Sequence, residues 1–434
     1  MPKWKWVITQ LTRRLWVRSS LIGALGVLAA ILAAYVERYI PWTVPGSIGA
    51  GAVGNLLTII ASSMLAVTTF SLNIMVSAYG SATNNVTPRA TKLLIEDRLT
   101  HKVLSTFLGS FLFGIVGLIV LQMGAYGERG RVVLFAMTIA VIVMVVVALL
   151  RWIDQLTRFG RVGETTDRVE VAARQAIEAR LREPFLGGQP WLRTQVRGPG
   201  SGTAHAAISD LIGYVQHIDM TALSRLCATH DIDIFVSALP GTFVYPHTPL
   251  AWVDARARAA FPETLRPSVL GAFSIGNERA FDQDPRFGLA VLAEIGVRAL
   301  PPAASDSGTA IDVIGRMARL MSIWAVGAGE PKAGGPAHPR VHVPPLTPRD
   351  LFEDGFMLMA RNGAGLIEVQ MRLQKALHAL SQLGDDAFKQ AAAYQSSLAL
   401  DRAFSALSLD ADRERLRELI RCQRKSAEPQ ALVL

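Results

Sequence analysis

The sequence is poor in cysteine and poor in charge. Its 434 residues include two cysteines, Cys227 and Cys422, far apart in the chain. That excludes a disulfide framework and agrees with a reducing compartment. Charged residues make up 18%, against about 25% in an ordinary soluble protein, and the shortage lies almost wholly in the first 160 residues. Short catalytic motifs are also missing: there is no G-x-S-x-G, no P-loop and no H-E-x-x-H, so no hydrolase elbow, phosphate cradle or zinc-protease helix is expected. His205, His217, His230 and His247 lie near Asp219, Asp231 and Asp233 in sequence, but no pair has the tight spacing of a zinc site. They read as ordinary core or surface histidines. No catalytic residue, metal or cofactor is expected, and the chain does not read as an enzyme.

The net charge of +9 is as local as the charge deficit. Up to Gly160 there are 14 Lys+Arg against 5 Asp+Glu, and from Arg161 onward 30 of each. A nucleic-acid reader keeps its basic excess on the folded domain that meets phosphate. Here the excess flanks apolar segments, so a nucleic-acid partner is excluded and the lipid bilayer takes its place.

What the sequence has is long apolar runs. Four segments approach the ~20 residues that cross a bilayer core: about Ser19 to Val36, Ser47 to Tyr79, Val103 to Tyr126, and Val132 to Ile153. The first follows a basic stretch but is too long for a signal peptide and lacks a small-residue cleavage site, so a retained helix is expected. Lys3, Lys5, Arg13, Arg14 and Arg18 precede the first span. Arg89, Lys92, Arg98 and Lys102 separate the second from the third, and Arg151, Arg158 and Arg161 mark the end of the fourth. The other two loops hold only Arg38, and Arg129 with Arg131. This alternation is the positive-inside pattern for an even number of spans, with both termini in the cytoplasm of a bacterial inner membrane. Trp4, Trp6, Trp16, Tyr35, Tyr39, Trp42, Tyr126 and Trp152 fall near the expected interfaces. Both external turns are too short for a domain, so the bulk is cytoplasmic.

The remainder predicts a soluble α+β domain over 161–330 and a helical C-terminal subdomain over 331–434, after a transmembrane domain over 1–160. Glu164 to Arg182 reads as an amphipathic helix, followed by a Gly/Pro-rich linker from Pro184 to Gly202. Strands are expected over Ile212 to Ile218, Ile232 to Ala238, Phe243 with Val244, and Val269 to Ile275. Asp219 is a candidate N-cap for a helix through Leu226. Helices near Phe287 to Leu300 and Thr309 to Trp324 precede a second flexible stretch, Gly327 to Pro345. The tail from Pro348 to about Gln423 reads as helical.

The second span carries the most informative pattern. Asn55, Thr58, Ser62, Ala66, Thr69, Asn73, Ser77 and Gly80 recur at steps of three and four, on one stripe about 100° wide. From Asn55 to Asn73 it runs ~27 Å at 1.5 Å per residue, close to the thickness of the bilayer core. It holds no charge. Two readings stand: interhelical hydrogen bonding and close packing, or the lining of a polar path formed when several copies share an axis. Gly49-Ala50-Gly51-Ala52-Val53-Gly54 matches G-x-G-x-x-G, but it opens a membrane helix without a preceding strand, so close packing rather than nucleotide binding is expected. Pro88 would start a helix and Arg89 would meet anionic headgroups or take part in gating.

Several stretches resemble a known family. Ala82 to Leu108, with Val86-Thr87-Pro88-Arg89, Asp97 and Gly109, is similar to the segment after the second span in predicted bacterial membrane proteins catalogued as domain of unknown function 2254. Gly213-Tyr214-Val215-Gln216 with Asp219, Pro240-Gly241-Thr242-Phe243-Val244, and Arg279 with Asp282, Asp284-Pro285 and Phe287-Gly288 look like its soluble-domain signatures. The family's Asn-Asp-Pro run before Thr-Ala reads here Ser305-Asp306-Ser307-Gly308-Thr309-Ala310; Asp306 and Thr309 survive. The resemblance implies the architecture and leaves the mechanism open. The leading functional expectation is a homo-oligomeric channel or regulated pore lined by the second span and assembled or gated by the cytoplasmic domain. A membrane-anchored scaffold or sensor is the alternative.

Overall fold

The computed structural model describes residues 3, 5, 6, 20, 23, 24, 27, 28, 31, 50–95, 97–124, 128–158, 161–191, 204–254, 265–301, 306–328 and 335–427. The chain forms two compact units. One holds residues 7–84 and 91–165; the other holds residues 1–6, 85–90 and 166–434.

The first unit is a helical bundle. Its principal elements are α1 (Ala50–Asn85), the end of the short α2 (Pro88–Ile95), whose first turn belongs to the other unit, α3 (Arg98–Gln122) and α4 (Glu128–Arg158). Among the described residues three helices are long and apolar enough to cross a membrane, over Gly51–Ser81, Leu99–Gln122 and Gly130–Leu156. They coincide with the expected second, third and fourth spans. The expected first span lies largely outside the described residues; Ser20, Gly23, Ala24, Val27, Leu28 and Ile31, the ones that are described, are helical. Ile60, Met64 and Met75 of α1 pack with Val103, Leu104 and Phe107 of α3 and with Val145, Ala148 and Trp152 of α4. A Cβ on Gly114 would stand 3.1 Å from the Leu57 carbonyl oxygen and 3.2 Å from Ala61 Cβ. This is the close approach of two backbones that small residues permit in membranes. Asp97 caps α3, accepting from Thr100 N at 3.0 Å and Thr100 Oγ1 at 2.6 Å, and it also accepts from Gln155 Nε2 of α4 at 3.2 Å.

The second unit begins along α5 (Val162–Arg182) and carries two sheets. Its elements continue as β1 (Gly188–Pro190), β2 (Ala204–Ile208), β3 (Gly213–Ile218), α6 (Met220–His230), β4 (Asp233–Val236), β5 (Phe243–Val244) and β6 (Pro249–Asp254). They are followed by α7 (Arg266–Gly271), β7 (Phe273–Gly276), α8 (Pro285–Arg298), α9 (Ser307–Ala328) and β8 (His338–Val343). The larger sheet has the order β1-β8-β4-β6-β2, with β8 parallel to both its neighbours and the other pairs antiparallel. The smaller is an antiparallel β5-β3-β7. Asp219 caps α6 as its position suggested, accepting from Ala222 N at 2.9 Å. Val215, Leu223, Ile234, Val236, Val253 and Val341 close one apolar core.

Four helices complete the unit: α10 (Pro348–Asn362), α11 (Ile367–Leu380), α12 (Asp386–Ala406) and α13 (Asp410–Ala427). Phe352, Phe356 and Phe388 are fully buried there, with Phe352 and Phe388 ring centroids 4.9 Å apart.

Three sequence expectations need correction. The stretch Gly327 to Pro345, read as flexible, contains β8, and β8 is an inner strand of the larger sheet. A boundary at 330 therefore cuts the α+β fold, and the helical part starts at Pro348. The linker from Pro184 to Gly202 opens with a 3-10 turn, Pro184–Gly187, and the edge strand β1. Val269 to Ile275 is not one strand, because α7 ends at Gly271 before β7 starts.

Candidate functional site

Within the bundle, α1 presents two opposite faces. Val53, Leu57, Ile60, Met64 and Met75 are buried. Asn55, Thr58, Ser62, Ala66, Thr69, Asn73, Ser77 and Gly80 are all exposed. At 100° per residue the centres of the two sets lie roughly 170° apart. Exposed Ile59 and Phe70 flank the polar stripe on one side, and exposed Leu65, Leu72 and Val76 flank it on the other. Among the described residues the stripe therefore points away from the helices that pack against α1. The close approach of α1 to α3 falls on the other face, at Ala61 and Gly114.

Most of the stripe's hydroxyls bond inside their own helix. Thr58 Oγ1 donates to Gly54 O at 2.9 Å, Ser62 Oγ to Thr58 O at 2.9 Å, and Thr69 Oγ1 to Leu65 O at 3.0 Å. Such back-bonding satisfies a donor without a second helix. The side-chain amides of Asn55 and Asn73 make no hydrogen bond among the described residues. From the middle of the span, near Ala66, Asn55 is about 16 Å along the axis and Asn73 about 10 Å. A hydrocarbon half-thickness of about 15 Å places Asn55 at an interface and Asn73 inside the apolar layer.

Thr87, Pro88 and Arg89 belong to the other unit. Thr87 caps α2, with its Oγ1 accepting from Ala90 N at 3.2 Å, and Pro88 takes the first helical position. Arg89 is ion-paired with Glu294 of α8. The guanidinium assigned by sequence to headgroups or gating thus has a protein partner in the α+β domain.

Gly213, Gln216, Gly241 and Asp284 meet around the stretch from Gly276 to Asp284. Gly213, at φ +151°, lies where a Cβ would meet the Gly276 carbonyl oxygen at 2.6 Å. Tyr214 packs edge-on against Phe243, centroids 4.9 Å apart. Gln216 Nε2 donates to Glu278 O at 2.7 Å. Asp284 is 2% exposed, accepts from Arg279 Nε at 2.8 Å and Nη2 at 3.0 Å, and caps α8 through Phe287 N. Gly241, at φ +93°, lies against it, so a Cβ there would stand 2.2 Å from Asp284 Oδ2. Burial pushes the Asp284 carboxyl above its ordinary range, against the pull of Arg279. Gln283 bridges to both backbone groups of Ile218, and its own carbonyl accepts from Arg180 Nη2 at 3.0 Å. Burial lowers that guanidinium to about 10. Asp306 and Thr309 are placed apart from this loop: Asp306 accepts from Thr309 N at 3.0 Å and from its Oγ1 at 2.6 Å, capping α9. These residues stabilise turns, caps and a buried ion pair.

Sequence reasoning missed a further feature of this unit. The Lys3 backbone N donates to Asp219 Oδ2, and Lys3 Nζ donates to Gly271 O at 2.8 Å. Trp6, expected at a membrane interface, stacks on His217 with centroids 5.2 Å apart and rings 6° from parallel, and its Nε1 donates to Asp282 Oδ2 at 3.2 Å. No periodicity could have revealed so distant a contact. Among the described residues no three His, Cys, Asp or Glu side chains come together as metal ligands. Burial raises the Cys227 thiol to about 11, leaving it a poor nucleophile at neutral pH.

Residues 12–379 match the family described as Predicted membrane protein, domain of unknown function 2254. The chain belongs to this family. It is a membrane protein of a family without an assigned activity. It is similar to the uncharacterized proteins Mb1321c of Mycobacterium bovis and Rv1290c of Mycobacterium tuberculosis, each 23% identical over 286 residues, covering 63% of this chain and 53% of the relative. The chain therefore matches about half the length of these relatives. No solved structure matches it.

Proposed function

We propose that the protein is a homo-oligomer of the bacterial inner membrane in which copies of α1 turn their polar faces toward one another around a water-accessible path. The observation that carries this reading is the outward direction of the stripe. A polar face ~27 Å long, set opposite the face that packs in the chain and flanked by apolar side chains, calls for a polar neighbour from outside the chain. The absence of charge on it points to weak selectivity between ions. The α+β domain would lie in the cytoplasm, where it assembles or gates the path, and no catalytic activity is assigned to it.

Four crossings are supported by parity. Lys3, Trp6 and Arg89 all contact the domain that follows the last span, and lipid cannot separate groups in contact. On this reading the chain would cross an odd number of times between Trp6 and Ala50, where Ser19 to Val36 is the apolar candidate, and twice between Arg89 and Arg161.

The test is cysteine substitution from Asn55 to Ser77 in the membrane-embedded full chain, with a membrane-impermeant thiol reagent. The proposal expects labelling at Asn55, Thr58, Ser62, Thr69 and Asn73, and protection at Leu57, Ile60 and Met64. Protection throughout the apolar core would overturn the path. The scaffold reading, a dry helix contact without transport, would then replace it; the back-bonded hydroxyls, which need no water, are the observation that favours this alternative.

A further inference from the structure

The smaller sheet ends in an open apolar face. β3 and β5 pair antiparallel, with Gly213 opposite Val244 and Tyr214 opposite Phe243. One residue beyond that ladder the same register sets Ile212 across from Tyr245, and directly opposed side chains share a face. Tyr214, Phe243 and Tyr245 make a run of edge-on contacts, each step 4.9 Å between ring centroids. Leu211 is 61% exposed, Ile212 56%, Phe243 37% and Tyr245 62%. Apolar side chains exposed singly are ordinary, but a contiguous group of them marks a contact surface. Four such side chains present on the order of 400 Å². That is about half of the roughly 800 Å² that each partner gives to a standard protein interface, so the patch is small for a second copy.

The chain brings lipid close to this patch. The apolar span on α1 ends at Ser81, and the helix runs on to Asn85. Arg89 follows four residues later. At 1.5 Å per helical residue and at most about 3.6 Å per residue beyond, Arg89 stands within about 20 Å of the span's end. Its guanidinium is paired with Glu294. Glu294 holds it charged, and Tyr214 and Glu278 add to the effect. The first turn of α2 therefore lies beside the end of the smaller sheet where Tyr214 meets Gly276 and Phe243. This is the end at which the patch opens. Its make-up suits a bilayer surface: aliphatic tips, and a tyrosine whose ring is apolar and whose hydroxyl prefers the headgroup level. Asp210, beside Leu211, is exposed as well, so attraction to anionic lipid is no part of the contact. We propose that Leu211, Ile212, Phe243 and Tyr245 dock on the surface of the bilayer that α1 enters and hold the α+β domain against it.

The test uses the full chain in vesicles of zwitterionic phosphatidylcholine. Cys422→Ser removes the exposed thiol, and Cys227 is buried. Leu211→Cys, Ile212→Cys and Tyr245→Cys each carry an environment-sensitive fluorophore. Leu409→Cys is the control, 59% exposed in the helical part. The three patch positions should lose fluorescence to lipids spin-labelled near the headgroup, lose less to lipids labelled deep in the acyl chain, and resist aqueous iodide. Leu409 should respond to iodide alone. The unaltered chain supplies a second reading that no substitution can disturb. Lipids with a photoreactive headgroup should form adducts within 209–214 and 243–248, and none within 407–412. Iodide access at the patch equal to that at Leu409, without quenching by lipid, would overturn the proposal. So would protection from iodide that grows with protein density and brings no lipid quenching, since a second copy would then cover the patch. Absence of lipid adducts in both segments would overturn it as well.

Discussion

Removing Arg279 should destabilise the α+β domain more than removing Arg279 and Asp284 together. The Asp284 carboxylate is 2% exposed, whereas the Arg279 side chain is 19% exposed. Arg279→Ala leaves a buried charge without its partner, which costs about 3–5 kcal/mol. Asp284→Ala leaves a guanidinium that can still reach water, and it loses the α8 cap, worth about 1 kcal/mol. In the double variant the orphan carboxylate is gone, so its cost should fall well below that of Arg279→Ala, a coupling that a double-mutant cycle measures. At about 2–4 °C per kcal/mol for a domain of this size, Arg279→Ala should lower the melting temperature by roughly 6–20 °C. The pH dependence supplies a second check. Without Arg279, burial is still opposed by the Phe287 N–H bond and the charge of Arg286 but no longer by the ion pair, so the folded-state pKa rises further above the unfolded value. The penalty is then present above the folded pKa and fades as pH falls toward the unfolded one. The melting curves of Arg279→Ala and wild type should therefore converge in acid. A double variant as unstable as Arg279→Ala, or an Arg279→Ala shift of less than about 2 °C, would refute the reasoning.

Further outcomes follow from other parts of the molecule. Reporter fusions at Trp42 and Gly127 should read external and one at Leu434 internal; an external C-terminus would sink the topology. Purified protein should carry well under one equivalent of zinc by elemental analysis, and a stoichiometric metal that resists dialysis would reopen an enzymatic role. Burial lowers His338 below its ordinary value. The neutral form is favoured by folding, so its stabilising effect is present above about pH 6.5 and is lost as pH falls. His338→Gln should flatten that part of the stability profile, and an unchanged profile would show that His338 does not contribute.

The membrane helices were legible because unbroken apolar runs have few other uses, and the Asp219 cap sits where a short acidic side chain precedes a helix. The strand β8 was not legible. His338-Pro339-Arg340-Val341-His342-Val343 alternates as a strand should, but it adjoins a Pro- and Gly-rich stretch, and it is fixed by parallel partners more than a hundred residues away. The candidate site was half legible. Periodicity yields a stripe on α1 but cannot say on which side neighbouring helices pack. That depends on Gly114, whose missing side chain lets α3 approach the far face. The role of Gly241 was hidden for the same reason: its requirement arises from Asp284, which is local to it only in the folded chain.

The oligomer argument narrows once individual donors are traced. The hydroxyls of Thr58, Ser62 and Thr69 are already bonded to α1's own carbonyls, so they supply little demand for a second copy. Asn55 lies near an interface, where headgroups and water can serve it. Asn73 remains, an amide inside the apolar layer with two donors and one acceptor. An interhelical bond from such a group contributes about 0.6–2 kcal/mol. Asn73→Leu should therefore shift the monomer–oligomer equilibrium of the detergent-solubilised chain toward monomer by about threefold to thirtyfold, read by sedimentation across a protein-to-detergent series. Thr69→Val, which removes only a back-bonded hydroxyl, should shift it far less. If Asn73→Leu leaves the equilibrium unchanged and raises the melting temperature, the amide was facing lipid at a cost. The stripe would then not be a contact between copies, because its only unsatisfied group within the apolar layer would have no partner there.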